Sequence, residues 1–302
     1  MEPPASERLD HYLVRLGFAP SRRAARAIVE RGGVRINGRR CVKSAIVAPS
    51  DIVEVAEPSA AVPIAPNPQF ELVVLYCDAA MLVAGKPGGV ACHPIRAGES
   101  ETVMNGVVAR FPECAALGDK ALEGGLVHRL DNGTSGALIV ARTAAAFTAL
   151  RAAIKSGAIE RRYHALVAGR LDHPLDLDRR IAHHPKNPRK MTIGDPESLD
   201  RRRIGRAAGT HAEPLRRVGA GSTLLAVTPR TGSRHQIRVH LADAGFPIVG
   251  DTLYGGPEAP GLAPGRFWLH LASIALDTPA AGPIKITAPI PADLATLIDA
   301  RD

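Results

Sequence analysis

The chain has 302 residues, 45% hydrophobic and 23% charged, with a formal net charge of +8 and a pI near 9.7. That length is comfortable for two domains, and the composition excludes a disordered or fibrous chain. The basic balance favours a polyanionic partner, nucleic acid first, while one Trp, four Tyr and six Phe are too few for a single-strand stacking platform.

Cys41, Cys77, Cys92 and Cys114 show no C-x-x-C pairing, so neither a disulfide framework nor a metal site is expected. The opening "MEPPASERLD" is acidic and lacks the apolar core of a secretory signal. No apolar run approaches the roughly 20 residues of a membrane span. The expectation is a cytoplasmic protein without membrane contact.

Residues 1–57 read as a separate module. Leu9, Tyr12, Leu13 and Leu16 share one helix face, and Gly17 ends that helix. Ser21 caps a second helix with Ala24, Ala25, Ile28 and Val29 as its apolar face and Gly32-Gly33 as its stop. "VRINGRRC" reads as a strand with an Asn37-Gly38 turn, and "DIVEV" as another. Arg22, Arg23, Arg26, Arg31, Arg35, Arg39, Arg40 and Lys43 crowd this stretch, with Glu30 the one acid among them. A solvated face usually mixes signs, so a one-sign cluster points to phosphate binding. The landmarks of "RLDHYLVRLGFAPSRRAARAIVERGGVRING" resemble an S4-type (alpha-L) RNA-binding module.

Residues 58–70 have linker composition, rich in Pro and Ala. Residues 71–302 form the second domain. It opens on two short strands, "ELVVLYCD" and "MLVAGKPGG". The segment "GGLVHRLDNGTSGALIVA" runs from an apolar start through a polar, glycine-rich bend into a buried strand. Thr143 caps a helix over 144–155 that stops at Gly157. In the strand "IERRYHALVAG", Tyr163 shares its face with Ile159, Ala165 and Val167. "STLLAVTPRTGSRHQIRVHLADAG" predicts a strand, a turn and a helix ending at Gly245, on which Arg234, Arg238 and Leu241 stack. Short strands with few helices predict an α+β fold with a mixed, mainly antiparallel central sheet. A second basic region spans Arg179 to Arg217 and includes Lys186, Arg189, Lys190, Arg201–Arg203 and Arg206; it reads as an exposed loop or hairpin that grips RNA.

Several local matches carry nothing. "HRLDN" differs from the kinase H-R-D loop in spacing, and "VAGKPGG" lacks P-loop spacing. His183-His184 and His235…His240 lack metal-site spacing and read as surface or packing histidines. Read alone, Asp131 is a turn residue before Asn132-Gly133.

Three ordered segments change that reading. "GGLVHRLDNGTSGALIVA", "RRYHALVAG" and "TGSRHQIRVHLADAGFPIVGDTLYG" resemble the successive motifs of the RluA-type pseudouridine synthases, and the likeness spans roughly residues 71–290. The resemblance implies a pseudouridine synthase-like fold and isomerisation of uridine to pseudouridine within RNA, with no cofactor or metal. It implies that Asp131 is the catalytic aspartate. Such a carboxylate can attack the ribose or the uracil ring, or stabilise a positive ribosyl species. Arg238 is implied to pair with it, and Tyr163 to stack on the flipped uracil or to act as a base toward the ribose. Arg129 is implied to enter the RNA stack where the target base leaves. His128 and Leu130 are expected to support the loop.

The sequence departs from the family where T-G-R-x-H-Q becomes Thr231-Gly232-Ser233-Arg234-His235-Gln236, which moves an arginine one place later. Arg234 joins the expected RNA contacts. The expected partner is structured RNA bound by a monomer, ribosomal RNA of the large subunit first and transfer RNA second. Rival readings are a non-catalytic RNA-binding or assembly protein, and a hydrolase, which would need a second carboxylate for water activation.

Overall fold

The computed structural model describes residues 6–19, 21–30, 32–42, 44–55, 64–118, 122–278 and 282–300. The chain divides into two compact units, Met1–Pro63 and Ile64–Asp302.

The first unit contains β1 (Glu7–Arg8), α1 (Leu9–Arg15), α2 (Arg22–Glu30), β2 (Val34–Ile36), β3 (Arg39–Arg40), β4 (Ile46–Val47) and β5 (Val53–Val55). β3, β2 and β5 form a three-stranded sheet, and β1 pairs with β4. Leu9, Leu13, Ala25, Val29, Val34 and Val47 make its small core. The expected hairpin turn is present: Asn37 and Gly38 both have positive φ, as a two-residue turn with matching twist requires. Leu16, expected on the apolar face of α1, lies past its end and is exposed.

The second unit opens earlier than the linker reading placed it. Ile64 is buried in its core, and Asn67 exchanges backbone hydrogen bonds with Asn105 and Phe70. Proline-rich composition marked the stretch as linker, but its apolar residues 64–70 pack on the unit that follows.

That unit carries β6 (Val73–Cys77), β7 (Met81–Lys86), α3 (Val103–Arg110), β8 (Ser135–Ala141), α4 (Ala144–Ser156) and β9 (Glu160–Ala168). β10 (Leu175–Asp178), β11 (Ile181–His183), β12 (Met191–Ile193), α5 (Arg201–Ile204), β13 (Gly209–Val218) and β14 (Ser222–Pro229) follow. α6 (Gln236–Asp243), β15 (Leu269–Thr278), β16 (Gly282–Thr287) and α7 (Ala292–Asp299) complete it. The large sheet runs β10-β13-β14-β9-β15-β8-β7-β6, with β16 also paired to β15. Among the described residues of this sheet only β15–β8 pairs in parallel, so the sheet is mixed and mainly antiparallel, as expected. α4 is capped as its sequence predicts: the Thr143 hydroxyl accepts from Ala146 N at 3.1 Å, and Gly157 closes it with left-handed φ.

The parallel contact positions the site. β15 meets β8 at His270–Ser135 and Leu271–Gly136, while Leu271 pairs on its other side with Tyr163 of β9. The start of β8, and hence the bend before it, is thus set beside the centre of the sheet. Gly136 permits this approach: φ is +122°, and a Cβ there would lie 2.3 Å from Leu271 O.

Candidate active site

The bend that carries Asp131 is clamped from several sides. Lys86, at the end of β7, is buried, and its Nζ donates to the carbonyls of Pro87 (2.9 Å), Asn132 (3.0 Å) and Thr134 (2.6 Å). Burial pulls its pKa down to about 8. Buried Arg266 donates to Gly133 O and to Ser135 Oγ and pairs with Asp293 at 2.8 Å. Cys92 Sγ accepts from Leu130 N and donates to Leu130 O, both at 3.3 Å. Thr134 N donates to Asp131 O at 3.0 Å. His128 supports the strand side, its Nε2 accepting from Ile139 N at 3.0 Å; burial, helped by the charge of Arg161, lowers its pKa to about 3. Sequence reasoning placed His128 and Leu130 correctly and missed Lys86, Cys92 and Arg266. "GKPGG" reads only as the end of a strand without P-loop spacing, and "GRFWLH" carries no signal of its own.

Asp131 stands 24% exposed at this bend, and Arg238 reaches it from α6 with Nη1 3.0 Å from Oδ2. The other edge of Arg238 grips Asp251: Nε to Oδ2 is 2.6 Å and Nη2 to Oδ1 is 2.8 Å. That fork is bidentate, the geometry that fixes a guanidinium in plane. The Tyr254 and Phe267 rings hold it further, with centroids 4.9 and 4.3 Å from Cζ. Burial works against the Arg238 charge, but the Asp251 hydrogen bond and the two carboxylates outweigh it and keep its pKa raised. The sequence singled out Arg238; Asp251 and Tyr254 lay unremarked in the quoted "GDTLYG".

His235 is also at the site rather than on the surface or in packing alone. Its Nε2 is 3.9 Å from Asp131 Oδ1, and its Nδ1 is 2.8 Å from the Tyr254 hydroxyl, which accepts from Met191 N at 2.8 Å. Burial pulls its pKa to about 4 against the charge of Asp131, so the ring is neutral near pH 7. Tyr163 is buried on β9, and among the described residues its hydroxyl has no hydrogen-bond partner. Burial pushes its pKa up to about 12, against the pull of Arg161 and with the push of Asp131. It keeps its proton at neutral pH. Arg129, two residues before Asp131, is exposed.

The other expected RNA contacts sort differently. Arg234 is not on α6, which begins at Gln236 after His235 takes a left-handed φ of 55°. It instead donates to Pro188 O (3.3 Å) and Arg189 O (3.2 Å), bracing the β11–β12 connection. On that connection Arg189 is exposed, and Lys190 Nζ lies 5.3 Å from the Tyr254 ring centre. In the first unit Arg22 and Arg26 both contact Asp10, an acid left out of the charge count. Arg39 is exposed, and Arg40 packs its guanidinium over Gly32. Lys43, Arg31 and the side chain of Arg23 lie outside the described residues. No group of three or more potential metal ligands occurs among the described residues, and none of their helices is long and apolar enough to cross a membrane.

Against this geometry, comparison with known proteins is specific. The family model described as "RNA pseudouridylate synthase" matches residues 80–243, and the S4 domain model matches residues 7–53. An uncharacterized RNA pseudouridine synthase of Mycobacterium bovis is 36% identical over 296 residues, 96% of this chain and 92% of that one. A protein of Xanthomonas campestris pv. campestris named ribosomal large subunit pseudouridine synthase D is 37% identical over 243 residues, 76% of this chain and 69% of the relative. Among solved structures, human RNA Pseudouridylate Synthase Domain Containing 1 aligns with a TM-score of 0.59 at 26% identity, covering 77% of this chain and 89% of that one.

Proposed function

Since the chain belongs to the RNA pseudouridylate synthase family, with an S4 domain before the synthase domain, we propose that it isomerises uridine in large-subunit ribosomal RNA with Asp131 as the reactive carboxylate. The reaction class follows from the family: an isomerase that breaks the bond from ribose C1′ to uracil N1 and joins the same C1′ to uracil C5. The C5 proton leaves and N1 gains one, so nothing is oxidised or hydrolysed. The ribosomal substrate is supported by the name of the Xanthomonas relative and by the basic module.

One observation carries the assignment of Asp131. Arg238 is bolted to buried Asp251 and still directs its remaining edge to Asp131 at 3.0 Å. The arginine fixes the direction of the carboxylate, while the partial exposure of Asp131 leaves it open to a ribose. Neutral His235 closes one side without adding a second charge. Protonated Tyr163 supplies a ring face and an unengaged hydroxyl where an extruded uracil would lie. Arg129 would fill the stack the uridine leaves, offsetting part of the few kcal/mol that base extrusion costs.

Mapping pseudouridines in ribosomal RNA from cells with and without the protein tests the reading. One or more large-subunit positions should lose the modification without the protein and regain it when the transcript meets pure protein. Unchanged large-subunit maps with a change in transfer RNA would transfer the substrate assignment.

A further inference from the structure

Arg161 is a buried charge that the fold leaves uncompensated. It lies on β9 two residues before Tyr163, so the two side chains leave the same strand face. It is 6% exposed, and among the described residues no carboxylate lies within ion-pair distance. Among the described residues its single hydrogen bond runs from Nη2 to Thr231 O at 3.1 Å, and its buried Nε has no partner. A buried guanidinium in that state is costly, so its retention points to an anion that arrives with the substrate.

The surroundings are suited to one. Nη1 faces Gly232, where a Cβ would stand 3.5 Å away. Residues 231–235 turn into the N-terminus of α6, where the helix dipole favours negative charge. Ser233 N is already taken by Gln236 Oε1 at 3.0 Å, and Thr231 Oγ1 by the same atom at 2.7 Å, so Gln236 holds the turn in shape. The turn ends at His235, 3.9 Å from Asp131, within reach of the nucleotide whose ribose meets that carboxylate.

We propose that Arg161 and the turn at residues 231–234 form a phosphate subsite that holds the backbone of the flipped nucleotide. The subsite rests on the pseudouridine synthase reading. It leaves the shifted Arg234 a different task, bracing the β11–β12 connection.

The test uses the full chain with in vitro transcribed large-subunit ribosomal RNA, measuring binding and turnover across a salt series. Arg161→Met should fold with a Tm at or above that of the unaltered protein, because an uncompensated charge is gone. Its Kd and KM should rise about 10-fold or more while kcat changes far less. The slope of log Kd against log salt should shrink by about 0.7–0.9, one phosphate contact. Arg161→Lys should recover part of the affinity. Gly232→Asp, which sets a carboxylate over the guanidinium, should reproduce the loss of affinity without touching Arg161. Unchanged Kd and salt slope in Arg161→Met and Gly232→Asp would overturn the subsite, as would a fall in kcat at constant KM. If the unaltered protein binds this RNA but forms no pseudouridine, the activity reading fails, and the binding measurements still decide the subsite.

Discussion

Two aspartate–arginine clusters, one in each unit, are built in opposite senses. In the first unit the acid is inside: Asp10 is 0% exposed, and Arg8 (3.0 Å), Arg26 (2.8 Å) and Arg22 (3.3 Å) close on it from half-exposed positions. The Arg8 hydrogen bond, with those of Arg26 and Arg22, holds the Asp10 carboxyl well below the usual carboxylate range against burial. In the second unit the base is inside: Arg238 is 7% exposed, anchored by Asp251, and presents Asp131 at the surface of the site. The buried member of each cluster is the scaffold, and it fixes the exposed member in place. Three arginines pinned by one acid leave a cluster of positive charge half exposed; one acid pinned by an arginine leaves a single carboxylate in a fixed direction.

The largest break is Arg238→Ala. It leaves Asp251 buried and unpaired, a loss of about 3–5 kcal/mol, and it frees Asp131. Thermal unfolding should show the second unit destabilised and turnover should drop to background; a variant of normal Tm and rate would refute the scaffold role of Arg238. Asp10→Asn should act on the other cluster alone. RNA affinity should weaken several-fold as the three arginines lose their anchor, with kcat intact at saturating RNA. A loss of kcat there would erase the division of labour between the clusters.

The two units also differ in their response to pH. Burial keeps His128 neutral down to about 3 and His235 and His270 down to about 4, whereas each takes a proton near 6.5 once unfolded. Between pH 6.5 and 4 the unfolded chain binds more protons, so the second unit loses stability as pH falls. The Asp10 contribution is present above the ordinary carboxylate value and is lost only as pH falls through its lowered folded pKa. Calorimetry from pH 7.5 to 4.5 should therefore lower the second unit's transition while the first holds. Equal shifts of both transitions would count against the neutral buried histidines.

Local signals made most of the fold legible. Asn37-Gly38, Thr143 with Gly157, and the alternation in "RRYHALVAG" each specify their element through short-range geometry. Long-range neighbours were not legible. Arg234 has helical spacing with Arg238, yet the left-handed His235 starts the helix after it. Lys86 and Arg266 look like ordinary basic residues until the fold lays them under the carbonyls of Asn132 and Gly133, 46 and 133 positions away. Of the site, the sequence singled out Asp131, Arg238 and Tyr163 through ordered motifs. Asp251, His235 and the orphaned Arg161 became visible only from the charges and hydrogen bonds around them.

The most direct measurement is pseudouridine formation by Asp131→Asn under single-turnover conditions, with RNA binding measured on the same sample. The asparagine keeps the size and a hydrogen-bonding oxygen for Arg238 but removes the ionised carboxylate. No pseudouridine should form while the RNA binds as before. Turnover persisting in a folded, RNA-binding variant would contradict the assignment of Asp131 as the reactive group.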